Sequence, residues 1–267
     1  MNLEILISTM HRTSLDFLET MFPYDNLEEL SILIINQTKE GLDLNSKFNN
    51  IRVINSYEIG LSKSRNLAID NAFGDICLIA DDDTEYIVGF QKIVKEAFEN
   101  CTDASLIKFK IETFLGKPYK VYPQKSKRLI SYSDINTISS IEIAFKRQNI
   151  VDGKIRFNEL FGLGSAFKSG EEFLFLKQIL DNDLGIYFKN ETIVKHKFES
   201  STIVGSDDYL KSQSILYFMC YGWFANLYIL KLLVFLVRKN VILKSKFFSK
   251  YTMAKKAIMY YKELRDA

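Results

Sequence analysis

Four short runs of apolar residues constrain this chain more than any other feature. LEILIST (residues 3–9), LSILIIN (30–36), IRVINS (51–56) and DICLIA (75–80) are near-continuous in apolar character rather than strictly alternating. A strand of that kind is buried on both faces, and strands of that kind come from parallel sheets covered by helices on each side. The intervening segments supply the helices. TSLDFLETMF has Thr13 and Asp16 at the spacing of a capping box, with Leu15, Leu18 and Phe22 on one face. LSKSRNLAIDNAFG reads as a helix capped by Ser62 and closed by Gly74, and VGFQKIVKEAFENC as another. The alternation predicts an α/β fold with a mostly parallel sheet.

The middle of the chain is less regular. ASLIKFKIET, SSIEIAFK, LGIYF and TIVKHKF read as strands, and GEEFLFLKQILDND (170–183) as a helix with Phe173, Leu176 and Leu180 on one face. From Ser206 the pattern becomes helical throughout. These shifts predict an α/β domain over 1–205 and an α-helical appendage over 206–267. The apolar stretch 217–236 has the length of a membrane span, but Lys231 and Asn226 interrupt it. The basic and aromatic residues that follow suit a helix lying on an anionic membrane surface. A helical cap, or a homodimer formed through these helices, fits the same pattern.

Composition narrows the class. The chain of 267 residues is 47% hydrophobic and 25% charged, so it folds, and its net charge of +2 gives no reason to expect a nucleic-acid partner. Three widely spaced cysteines, with no CxxC pair, argue against a disulfide framework or a structural zinc site and fit a reducing cytosol. The first residues lack the basic region and cleavage site of a signal peptide.

The fourth apolar run leads directly into Asp81, Asp82 and Asp83. On an extended chain Asp81 and Asp83 share one face, about 6–7 Å apart, while Asp82 faces away. Like charges at the carboxyl edge of a parallel sheet, where such folds bind ligands, call for a cation. Oxygen ligands suit Mg²⁺ or Mn²⁺, which share their coordination shell with substrate phosphates. A solvated acidic turn is the alternative.

The segment GLSKSRNLAIDNAFGDICLIADDDTEY (60–86) resembles the core signature of GT-A-fold glycosyltransferases of family 2, in which a G-L-S/A-x-x-R-N helix precedes a strand ending in D-x-D. LISTMHR (6–12) is similar to the family's first strand and nucleotide-contacting loop, IRFNELFGLGS (155–165) to its G-x-F-[DN]-E segment, and SGEEFLF (169–175) to its acidic motif at a helix start. The resemblance covers roughly residues 3–200. It implies a Rossmann-like GT-A catalytic domain, with a nucleotide-sugar half at about 1–100 and an acceptor half at about 101–205, and an inverting, metal-dependent transferase activity on a nucleotide-diphospho-sugar, UDP-linked by family habit. The implied acceptor is a glycan or lipid-linked glycan of surface polysaccharide synthesis. The implied location is the cytoplasm, peripheral on the inner face of the plasma membrane.

The resemblance also implies roles. Asp83 would bind the metal, joined by His196; Asp81 would contact the ribose or hold Arg65; Thr9, Asn36, Gln37, Arg65, Asp81 and Asp82 would surround the donor. Glu172, or failing it Glu171, would be the catalytic base, at a helix start that favours carboxylates. Two departures stand out. The first loop reads Ser8, Thr9, Met10, His11 where the family often has Pro-Thr-Tyr-Asn. Asn36 and Gln37 stand where the family usually has Asp-Asp or Asn-Asp, one of which reads the uracil ring, and an amide can also bond the base edge. His11 fits a surface loop as well as a ligand contact. Two rival functions remain: a sugar-phosphate nucleotidyltransferase, against which the lack of glycine in LISTMHRTS counts, and a non-catalytic binding module, against which the acidic pair counts.

Overall fold

A computed structural model of the chain describes residues 1–198 and 203–266. The first four strands are β1 (Leu3–Met10), β2 (Ile32–Gln37), β3 (Ile51–Ser56) and β4 (Ile76–Asp81), all parallel and ordered β3-β2-β1-β4. Beyond β4 the sheet continues through strands from later in the chain. These are β5 (Glu85–Tyr86), β6 (Ala104–Thr113), β7 (Lys127–Leu129), β8 (Ile143–Lys146) and β9 (Gly185–His196). The order is β4-β8-β6-β9-β5, with β7 also paired to β9. The β8 pairings are antiparallel and β6 with β9 is parallel, so the sheet is mixed but mostly parallel on its first half.

Helices α1 (Phe17–Met21), α2 (Leu61–Asn71), α3 (Phe90–Asn100), α4 (Tyr132–Ile135), α5 (Arg147–Asp152) and α6 (Glu171–Asp181) accompany the sheet. Alternation along each strand divides the core in two. Ile5, Ile7, Ile34 and Leu78 pack with Leu18 and Phe22 at α1 and with Phe90, Val94 and Phe98 of α3. Leu6, Leu33, Ile35 and Ile79 pack with Ala68 and Ile69 of α2 and with Phe175 and Ile179 of α6. Each fully buried Leu, Ile, Val or Phe among these contributes about 1.5–3 kcal/mol.

Several local expectations change. The capping box at Thr13 and Asp16 does not form, because Ser14 Oγ donates to the Asp16 carboxylate at 2.8 Å and the helix shrinks to α1. Helix α2 begins after Gly60, not on a side-chain cap, and Ser62 lies buried inside its first turn. Gly60 has φ 140°, a conformation that only glycine adopts without strain. Gly74 does not close α2; the helix ends at Asn71, and Gly74 is needed because a Cβ there would stand 2.6 Å from Glu4 Cβ. The segment SSIEIAFK starts as a 3-10 turn (Ser140–Glu142) before β8. The two expected strands LGIYF and TIVKHKF are one strand, β9, whose polar centre is satisfied from the 124–126 loop: Asn190 N–H donates to Ser126 Oγ and its amide to Gln124 O.

The chain divides into two compact units, Met1–Asn158 with Glu172–Phe198, and Glu159–Glu171 with Glu199–Ala267. The division is therefore not a single cut near residue 205. The second unit holds α7 (Asp207–Tyr221), α8 (Ala225–Arg238) and α9 (Phe247–Asp266). Ser206 caps α7 by accepting from Tyr209 N–H. Leu210, Ile229, Leu233, Leu236 and Ala254 form its core. The long apolar run of the sequence is interrupted at Gly222 (φ 54°, ψ −120°), where a 3-10 turn separates α7 from α8 and Tyr221 stacks on Tyr228 at 3.9 Å. Within the same unit Phe161 and Phe167 pack against Tyr261.

Candidate active site

Parallel strands β1 and β4 run side by side, with Ser8 opposite Asp81, so their carboxyl ends deliver Thr9, Asp81 and the residues after them to one edge. Extended chain stops at Asp81. Asp82 and Asp83 lie in a turn closed by Thr84 Oγ1 donating to Asp81 O at 2.9 Å. The strand alternation expected for the three carboxylates therefore does not extend past the first, and each meets its own partners.

Asp81 faces Arg65, whose Nη2 stands 3.3 Å from its Oδ1. Arg65 is 2% exposed although it carries a full charge. The same Nη2 donates to Ser140 Oγ at 2.7 Å, Nη1 stands 3.5 Å from Glu172 Oε1, and the guanidinium lies 5.4 Å from the Phe157 ring centroid. Helix α2 sets this arginine in place: its neighbour Asn66 grips the Phe157 backbone by donating to the carbonyl and accepting from the N–H. Burial pushes the Asp81 carboxyl up, Arg65 pulls it down, and the charges of Glu172 and Asp83 push it up again.

Asp82 accepts from Thr9 Oγ1 at 2.5 Å and from Arg12 Nε at 2.8 Å. It thus ties the loop after β4 to the loop after β1 instead of facing away. Asp83 meets His196 from β9, Oδ1 to Nε2 at 3.3 Å. The bond to His196 holds the Asp83 carboxyl below its ordinary range, and the same bond holds the imidazole above its own. His196 Nδ1 lies 2.7 Å from the Lys197 carbonyl, which fixes the proton on Nδ1 and turns Nε2 toward Asp83.

That pair fits a divalent cation. Adjacent octahedral ligands at about 2.1 Å from a metal stand about 3 Å apart, close to the observed spacing. Among the described residues no group of three or more His, Cys, Asp or Glu forms a metal cluster. The donors this pair would offer are one carboxylate and one imidazole, a set that would suit Mn²⁺ and leave positions for phosphate oxygens and water.

The structure places the remaining candidates as follows. Asn36 is fully buried and its amide donates to Arg12 O and Asn55 Oδ1, while its oxygen accepts from Arg12 N–H. It has no N–H left for a base edge and instead shapes the loop that presents Arg12. Gln37 exchanges hydrogen bonds with the Gly60 backbone and so joins β2 to the start of α2. His11 is exposed at φ 56° in the turn after β1, a surface-loop position. Of the two acids opening α6, Glu172 stands beside Arg65 with its side chain 23% exposed, whereas Glu171 is buried and groups with the second unit. Arg12 and Ser140 were not singled out from the sequence. Arg12 sits in the quoted LISTMHR motif, but Ser140 has no local signal, since only the fold brings it to Arg65.

Residues 22–180 match the family model described as Glycosyl transferase family 2, which is more than half of the chain. The chain belongs to glycosyl transferase family 2. No curated protein matches this family 2 chain by sequence. Solved structures do. S. aureus TarS 1-349 superposes with a TM-score of 0.57 at 15% identity, over 83% of this chain and 66% of that one. The same fragment in complex with UDP-GlcNAc gives a TM-score of 0.62 at 15% identity, over 95% and 79%. Its complex with UDP gives 0.57 at 16%, over 93% and 75%. The chain spans 42% of the longer TarS structure. At these identities the likeness establishes the GT-A fold: a mostly parallel sheet, flanking helices and a helical C-terminal region.

Proposed function

We propose that this family 2 protein is an inverting, metal-dependent hexosyltransferase that uses a UDP-sugar and transfers to a glycan or lipid-linked acceptor of surface polysaccharide. One observation carries the reading. At the carboxyl edge of the sheet the Asp83–His196 pair stands in the same site as an acid, Glu172, held by a buried arginine. The family match supports a nucleotide-sugar donor, and the UDP-GlcNAc and UDP complexes of TarS favour the uridine nucleotide.

Asp83 and His196 would hold Mn²⁺ or Mg²⁺ against the donor diphosphate. A metal so bound offsets the negative charge that develops on the departing nucleotide. Arg65 orients Glu172, which accepts the proton of the acceptor hydroxyl as that oxygen attacks the anomeric carbon. The bond from that carbon to the diphosphate breaks on the opposite face, so the anomeric configuration inverts with no covalent intermediate. Thr9, Arg12 and Asp82 fix the loop beside the diphosphate position. Alignment of acceptor and donor along one line supplies a large share of the rate.

The test is donor turnover. With Mn²⁺ and UDP-sugars the protein should release UDP slowly even without acceptor, and Asp83→Ala should reduce release at least 100-fold, about 2.7 kcal/mol of barrier. Release of pyrophosphate instead would mean nucleotidyl transfer. UDP binding without any turnover would mean a binding module.

A further inference from the structure

Between Asp208 and Glu263 the chain contains no carboxylate and ten lysines and arginines. Within that stretch α8 turns two different apolar faces outward from its axis. Ile229, Leu233 and Leu236 are buried in the core of the helical unit. Trp223, just before the helix, and Leu227 and Phe235 are 82%, 62% and 52% exposed. They fall at four-residue spacing with Lys231 between them and Arg238 one turn beyond, so they share one stripe. A helix with two apolar faces requires cover on both, and the helical unit provides it on one. The chain that follows continues the theme: Lys239, Lys244 and Lys246 are exposed and alternate with Leu243 and Phe248, 69% and 80% exposed.

We propose that this stripe is a docking surface for an anionic phospholipid bilayer, with α8 lying in the plane of the interface. Exposed aromatic and aliphatic side chains would enter the headgroup boundary while the lysines meet lipid phosphates. A span is the wrong geometry for this segment. The run Asp207–Arg238 is long and apolar enough by composition to cross a membrane. However, it breaks at Gly222, and the 14 residues of α8 extend only about 21 Å against a hydrocarbon core of about 30 Å. Lys231 would lie midway. Symmetric pairing of two copies is also disfavoured, because it would bring the cations of the stripe together with no carboxylate in the segment to answer them.

This inference does not depend on the reaction, and its test can fail without touching the proposed chemistry. Trp223 is the sole tryptophan of the chain, so its fluorescence reports this surface alone. Full-length protein is mixed with vesicles of phosphatidylcholine, or of phosphatidylcholine with phosphatidylglycerol. The expected result is a blue shift and co-sedimentation with the anionic vesicles only, weakened by salt. Leu227→Ser with Phe235→Ser should remove both signals without changing far-UV circular dichroism. If that pair misfolds, Lys239→Glu with Lys244→Glu should give the same loss, and undiminished binding would overturn the proposal. So would no binding at all, binding that only detergent reverses, or a blue shift in buffer alone that tracks dimer formation by sedimentation.

Discussion

A guanidinium offers five N–H donors in one rigid plane, and Arg65 directs them at oxygens from three distant parts of the chain: Asp81, Ser140 and Glu172. Of these contacts the one to Ser140 is the shortest, so the hydroxyl sets where the guanidinium lies between the two carboxylates. Ser140→Ala should therefore lower kcat about 10-fold or more with KM for the donor little changed, since a hydrogen bond to a charged group contributes about 1.5–3 kcal/mol. Ser140→Thr should restore most of the rate, which a merely structural loss would not predict. The Asp83–His196 pair makes a second prediction. The imidazole lies above its ordinary 6.5, so its stabilisation of the metal-free chain is complete below that value and is lost as pH rises through the raised one. The carboxyl lies below 3.8, so its share is complete above that value and is lost as pH falls through the lowered one. The pair is thus most stabilising between the two ordinary values. A metal held by His196 would need the free Nε2 lone pair and so would follow the opposite trend on the upper limb. Calorimetry should find Mn²⁺ affinity rising from about pH 6 to about pH 8, with that rise flattened in His196→Asn.

Glu4 shows how the elements are fastened together. Its carboxylate is 1% exposed on β1 and accepts from the N–H groups of Phe73 and Gly74, at 2.5 and 2.8 Å, and from Arg52 of β3 at 2.8 Å. Arg52 in turn donates to Asn71 O at the end of α2. Glu4→Ala would leave two backbone donors unanswered and deprive Arg52 of its carboxylate, and urea denaturation should show a loss of about 2–5 kcal/mol. Glu4→Gln should lose less, because it keeps one acceptor. The four parallel strands were legible in the sequence because burial on both faces leaves an unbroken apolar run. The helix limits were not, because a backbone glycine, Gly60, starts α2 without a side-chain signal. Strand β9 read as two because Lys189, Asn190 and Glu191 interrupt its apolar character, and the loop that satisfies Asn190 lies more than sixty residues away. At the site, Asp83, His196 and Glu172 were legible through the family resemblance, and the fold brings Asp83 to His196 and Glu172 to Arg65. The engagement of Asn36 and the role of Ser140 were not, since both depend on contacts that no local pattern encodes.

The family match runs from residue 22 to residue 180, yet Thr9 and Arg12 precede it and His196 follows it. The contacts at this edge of the sheet thus draw on both flanks of the matched region. Sequence order and spatial order also disagree in the sheet. Strand β9 lies between β6 and β5, is paired to β7 as well, and is the last of the nine to occur along the chain. A ribosome must therefore deliver the chain through His196 before the sheet can close, and until then β6 presents a row of unpaired amides and carbonyls along the edge that β9 covers. For this protein, the nascent chain is most exposed to misassociation in the interval just before His196, the last residue of β9, emerges.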